Sequence, residues 1–145
     1  MLISQQWKVN SLIKIIMNIG DTYAGGVIFF VDHFGKHGLI AGKMDILTQS
    51  VAGLPETLFS WYDAIKHCDT WFENGHNDWL LPNRNQLHQL YLNKDVVPGF
   101  TDNNANYWSS SEYYVSIAWE QYFHNGHQSL NNKMNLNRVR PILAF

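Results

Sequence analysis

Six tryptophans, seven tyrosines, seven histidines and one cysteine are the residues of this chain best equipped for chemistry, and their spacing decides what each can do. Cys68 stands alone, so neither an intrachain disulfide nor a paired-cysteine metal or redox site can form. A lone cysteine on a helix face packs as a small hydrophobe, and no local signature couples Cys68 to a histidine for nucleophilic catalysis. His124 and His127 lie close enough in sequence to suggest a metal pair, but zinc needs a third or fourth ligand. Ser109-Ser110-Ser111 lacks the Gly-x-Ser-x-Gly elbow of a nucleophilic serine. Calcium needs roughly six to eight converging oxygens. Asn77-Asp78-Trp79 has no acidic partner motif for that task, so Asp78 is expected to brace a turn and Trp79 to fill the core. With no acid, base and nucleophile set, the expectation is a noncatalytic chain with no cofactor and no metal.

Recognition is the remaining class. Binding a glycan takes aromatic faces for sugar rings, planar hydrogen-bonding groups, and Arg or Lys wherever sulfate must be neutralised. Such groups gather late in the chain. Tyr113 and Tyr114 follow the serine run in a stretch read as a loop, and His124, Asn125, His127, Lys133, Asn135 and Arg138 crowd the final hairpin region. These eight are the candidate ligand residues, against the plainer reading that an Asn-rich loop is simply solvated. Arg140 is assigned to an internal ion pair, and Arg84 and Lys94 are read as ordinary exposed charges. A net charge of −2 and a pI near 6.3 exclude a general nucleic-acid binder, which needs a basic stripe.

The elements that must hold these residues follow from periodicity. The apolar run of Leu12 to Ile19 is broken by Lys14 and Asn18 and falls short of the ~20 residues that span a bilayer, so no membrane insertion is expected. It is also a poor signal peptide, and residues 1–18 are read as a leader, stalk or edge segment. Val27 to Val31 and Gly38 to Ala41, on either side of an Asp/Gly turn, predict a hairpin whose first strand is covered on both faces. Residues 43–58 read as an irregular crossover. Ser60 can cap a helix running toward Gly75 whose inner face carries Trp61, Ile65, Cys68 and Phe72. Asn83 can cap a second, with Leu87, Leu90 and Tyr91 inward. Strands are predicted from Tyr107, over 117–123 and over 139–145, with Asn125-Gly126 as the hairpin signal between the last two. No repeat appears, and residues 19–145 read as one domain.

In this order the residues resemble a known family. Ile19-Gly20-Asp21, Gly25-Gly26-Val27-Ile28-Phe29-Phe30-Val31-Asp32 and Gly35-Lys36-His37-Gly38-Leu39-Ile40-Ala41 are similar to the opening of the family typified by the C-terminal domain of the Legionella collagen-like adhesin. Trp61 with Ala64 and Cys68, Asp78-Trp79-Leu80-Leu81-Pro82, Leu87 with Leu90-Tyr91, Tyr107-Trp108-Ser109-Ser110-Ser111-Glu112, Ala118-Trp119, Phe123 with Gly126, and Val139-Arg140-Pro141-Ile142 continue the match. The resemblance implies an α+β, C-type-lectin-like fold, also similar to formylglycine-generating enzymes, with two helices flanking a small twisted, mostly antiparallel sheet. It implies a surface-displayed or extracellular, adhesin-like module, able to form a homotrimer, that binds sulfated or anionic glycan such as glycosaminoglycan or a host surface polysaccharide. A protein-interaction module on the same scaffold is the alternative, with a protein partner in place of the glycan. The chain departs from the family in having no collagen-like Gly-X-Y tract and a slightly acidic charge.

Overall fold

A computed structural model describes residues 16–100 and 104–145. The leader expected over residues 1–18 therefore lies outside the described residues up to position 15. In chain order the elements are β1 (Thr22–Tyr23), β2 (Gly26–Val31), β3 (Gly38–Ala41), β4 (Thr48–Gln49), β5 (Pro55–Glu56), α1 (Trp61–Asp69), α2 (Arg84–Leu92), β6 (Asn106–Tyr114), β7 (Ile117–Tyr122), β8 (Gln128–Asn132) and β9 (Ile142–Ala144). All strand pairings between them are antiparallel. The class is α+β with two helices, as expected. The one sheet foreseen is divided: a four-stranded sheet in the order β1-β2-β3-β9, a three-stranded sheet β6-β7-β8, and a small β4-β5 pair inside the stretch read as irregular.

The predicted β2-β3 hairpin forms, and Gly26 shows why its sequence is constrained. A Cβ at Gly26 would meet the Ala41 carbonyl oxygen at 2.3 Å, so only glycine lets the two backbones approach. Val27, Ile28 and Phe29 are buried, while Phe30 is exposed beyond a register shift in the strand.

In α1 the Ser60 side chain accepts a hydrogen bond from the Asp63 backbone N–H, and its hydroxyl donates to the Asp63 carboxylate at 2.7 Å. This cap satisfies a donor that the helix itself leaves open. Ser60→Ala is expected to cost about 1 kcal/mol, measurable by chemical denaturation. The helix stops six residues before Gly75, because Thr70 Oγ1 donates back to the Lys66 carbonyl and the chain turns. Phe72, placed on the inner face by spacing, is consequently off the helix and exposed. Trp61, Ala64 and Cys68 do line that face, packed with Trp108, Ala118 and Val139. In α2 a reciprocal capping box joins Asn83 and Gln86, and Leu87 and Leu90 are buried against β2, β6 and β7.

The strand assignment late in the chain needs correction. Asn125-Gly126 does make a hairpin, but the partner of β7 is β8, not residues 139–145. Those residues instead send β9 to the first sheet, where Ile142 to Ala144 pair with β3. Tyr113 and Tyr114, read as a loop, are the end of β6. Trp79 and Trp108 are both buried, as expected, and Trp108 Nε1 donates to the Phe59 carbonyl at 2.8 Å.

Candidate functional site

The three-stranded sheet has two unlike faces. On one, Trp108, Ala118 and Glu120 face the core, and the buried Glu120 carboxylate accepts hydrogen bonds from Ser129, Asn131 and Asn137. On the other, cross-strand pairing sets Trp119 opposite Leu130 and Gln121 opposite Gln128. The start of α2 leans over this outer face. Its first residue, Arg84, donates its backbone N–H to Ser111 Oγ (2.9 Å), and its carbonyl accepts from Gln128 Nε2 (3.0 Å).

With both ends of the residue fixed, the Arg84 side chain lies flat. The guanidinium carbon sits 3.6 Å from the centre of the Trp119 ring, and Arg84 Nε donates to Gln128 Oε1 at 2.8 Å. Tyr113 meets Trp119 edge-on, ring centres 6.2 Å apart. Among the described residues no carboxylate pairs with Arg84. The first turn of α2 also carries no acidic residue, so the positive end of the helix reinforces the charge rather than offsetting it. Chemically this is a planar, held cation beside two aromatic rings at a solvent-facing sheet surface. It suits an anionic group attached to a ring that can stack.

Of the eight residues selected from sequence, Tyr113 belongs to this face, and the others do not converge on it. Tyr114 is exposed at the β6-β7 turn. His124, Asn125 and His127 lie at the other end of β7, separated from Tyr113 by roughly the 20 Å that a six-residue strand spans. There Asn125 Oδ1 accepts from the His127 backbone N–H, and the turn serves the hairpin. Asn135 donates to Asn131 Oδ1 at 2.6 Å, extending the amide chain behind Glu120.

Lys133 must be withdrawn from the ligand surface. It is 2% exposed, its ammonium donates to Glu112 Oε2 and to the Val115 carbonyl, and it lies 4.2 Å from the centre of the Trp61 ring. A buried lysine held by a carboxylate, a carbonyl and an aromatic face clamps β8 to α1 and to the β6-β7 turn, and has no donor directed at a ligand.

Arg138 and Arg140 share Asp45. Arg140 is fully buried: Nε donates to Asp45 Oδ1 at 2.7 Å, Nη1 reaches the Gly42 and Pro98 carbonyls, and the guanidinium stacks 3.9 Å from the Phe100 ring centre. This is the internal ion pair expected of it. Tyr107 Oη donates to Asp45 Oδ2 at 2.8 Å, and burial, reinforced by that carboxylate, pushes its hydroxyl well above the ordinary tyrosine range. Arg138 lies 3.6 Å from Asp45 and lines a polar hollow of about 250 Å³ with Asn104, Asn106 and Asn137. A second hollow, about 510 Å³ between β3 and α2, is walled by Phe30, Leu39 and Phe145 and rimmed by His37, Gln86 and Gln89.

Cys68 is buried, and burial, with the Asp69 charge adding to it, pushes its thiol far above the usual range. The thiol therefore stays protonated and unreactive at neutral pH. Asp78, expected to brace its turn, is exposed and 3.7 Å from His76 Nδ1. Arg84 and Trp119 are the residues that sequence reasoning missed as a pair. They are 35 positions apart, and only the outward alternation of β7 and the Asn83 helix start hinted at either.

Comparison with known families adds one finding. The family model described as the Lcl C-terminal domain matches residues 36–143. No curated protein matches the chain.

Proposed function

This chain belongs to the Lcl C-terminal domain family, an adhesin-associated family, and from that premise we propose that it is a noncatalytic recognition domain for sulfated or otherwise anionic glycan. The observation that carries the reading is Arg84, held flat on Trp119 and by Gln128, with no carboxylate partner among the described residues. A guanidinium fork fixed in this way loses little freedom on meeting sulfate or carboxylate, and Trp119 and Tyr113 offer rings against which a sugar can stack. The inert Cys68 thiol supports a noncatalytic role.

The reading takes the fold as C-type-lectin-like, residues 19–145 as one domain, and the working place as a cell surface or the extracellular space. Among the described residues no helix is long and apolar enough to cross a membrane. The homotrimer is part of the same proposal, with the outer face of β6-β7-β8 left open in it. Retention on an immobilised sulfated glycan, compared with its desulfated form, tests the ligand class. Retention that falls as salt rises supports it, because exposed charge pairs are screened beyond about 10 Å at 0.1 M salt. Equal retention on both forms, or salt-insensitive capture of a protein instead, would assign the scaffold to protein interaction.

A further inference from the structure

Arg84 is one of two α2 side chains laid against the outer side of β7. Trp119 and Gln121 are alternate residues of β7 and point to the same side of the sheet. Arg84 and His88 are one helical turn apart on α2 and share a face of the helix. The two pairs match rung for rung: Arg84 lies over Trp119, and His88 Nδ1 lies 2.9 Å from Gln121 Nε2.

Gln121 fixes which proton His88 carries. The residue is fully buried, and its Nε2 donates to the Gly126 carbonyl at 3.0 Å, a partner that can only accept. Its Oε1 faces Gln128 Nε2 at 3.5 Å. The amide is thereby oriented from both ends, and its remaining N–H is directed at His88. His88 Nδ1 must accept, so the neutral ring holds its proton on Nε2. Tyr91 stacks on the same ring, centres 6.1 Å apart and planes 23° from parallel. Among the described residues no carboxylate pairs with His88, and its Nε2 reaches solvent without a hydrogen-bond partner.

A ring held by Gln121 and Tyr91 presents its donor with little freedom left to lose. The fixed tautomer also selects the acceptor. A sulfate at this point would favour the protonated ring, which sets Nδ1–H against the Gln121 N–H, whereas a hydroxyl oxygen is met by the neutral ring as it stands. Four residues of helix separate His88 from Arg84 by about 6 Å along the axis, within reach of neighbouring units of one glycan chain.

We infer that His88 is a specificity-determining residue of the Arg84 face, donating Nε2–H to an uncharged hydroxyl on the sugar unit next to the one whose anion meets Arg84. This inference rests on the Arg84 reading and extends it from a single anionic group to a pair of units of which one is uncharged.

The test is made at about pH 8, where histidine is neutral. Long-range nitrogen–proton NMR is expected to show His88 with a bare Nδ1 and a protonated Nε2. Calorimetry then compares a sulfated monosaccharide with two disaccharides that add one uncharged unit on either side of it. At least one disaccharide is expected to bind about threefold to tenfold more tightly, the range of one neutral hydrogen bond. His88→Phe keeps a ring against Tyr91 without the donor, and should lose that gain while holding the monosaccharide as before. His88→Gln offers Gln121 an acceptor and the solvent an N–H, and should recover part of the gain. A purely structural role for His88 would weaken all three ligands alike. That result, a proton on Nδ1, equal affinity for the three sugars, or a gain that persists in His88→Phe would overturn the assignment. Arg84 Nε–H still shifting with the monosaccharide would then leave the Arg84 reading standing, whereas no shift there with any of the three would overturn both.

Discussion

Arg84→Ala is expected to lower affinity for a sulfated glycan by about tenfold to a hundredfold, since a hydrogen bond to a charged group contributes roughly 1.5–3 kcal/mol. The fold should lose less. Arg84 is half-buried, and its side chain touches Trp119 and Gln128 at the surface rather than the core. The helix cap is made by Asn83 and Gln86, which the substitution leaves in place. Arg84→Lys keeps the charge but not the planar fork or the stacking, and so should recover only a minor part of the affinity. Lys94→Ala removes an equal charge from beside Tyr91, on the far end of α2, and should leave binding unchanged. Affinity measured by calorimetry, beside melting temperature for each variant, separates loss of recognition from loss of structure.

Asp45→Ala is expected to be the more damaging change to stability, by about 3–5 kcal/mol, the usual cost of removing one partner from a buried ion pair. The reason lies in what is left behind. Arg140 has no exposed side-chain surface, and Asp45 is the one carboxylate in contact with it among the described residues. Its Nη2 already lacks a hydrogen-bond partner. Without Asp45 the guanidinium keeps only the Gly42 and Pro98 carbonyls and the Phe100 ring, and the Tyr107 hydroxyl loses its acceptor. These groups join four distant parts of the chain, so the loss should appear as a lower denaturation midpoint in one cooperative transition. Asp45→Asn keeps hydrogen-bonding atoms without the charge and should fall between the two.

Much of the fold was legible because single residues announce local structure. Ser60 and Asn83 marked helix starts, Asn125-Gly126 marked a turn, and Val27 to Phe29 marked a covered strand. What failed was non-local. The polar sequence Gln128–Asn132 forms β8 because its backbone pairs with β7, and no apolar alternation advertised it. Once β8 takes that place, β9 is left to close the other sheet. The α1 boundary failed for a related reason: Phe72 keeps helical spacing, but Thr70 ends the helix with its own side chain.

The site was less legible than the fold. Residue type nominated Lys133 for sulfate, yet the ammonium is buried on Trp61 and bound to Glu112. Arg84 looked ordinary because its neighbours in space, Trp119 and Gln128, lie 35 and 44 positions away. A charge becomes a binding group through what holds it and what leaves it unpaired, and both depend on tertiary contact.

A single titration tests the central claim most directly: a sulfated disaccharide added to the isotope-labelled chain while the side-chain resonances of Arg84 Nε–H and Trp119 Nε1–H are followed. Both should move along one saturating curve that weakens as salt is added. If they stay fixed while the His124–His127 turn responds, or if the ligand moves nothing, the outer face of β6-β7-β8 is not where this protein recognises an anionic glycan.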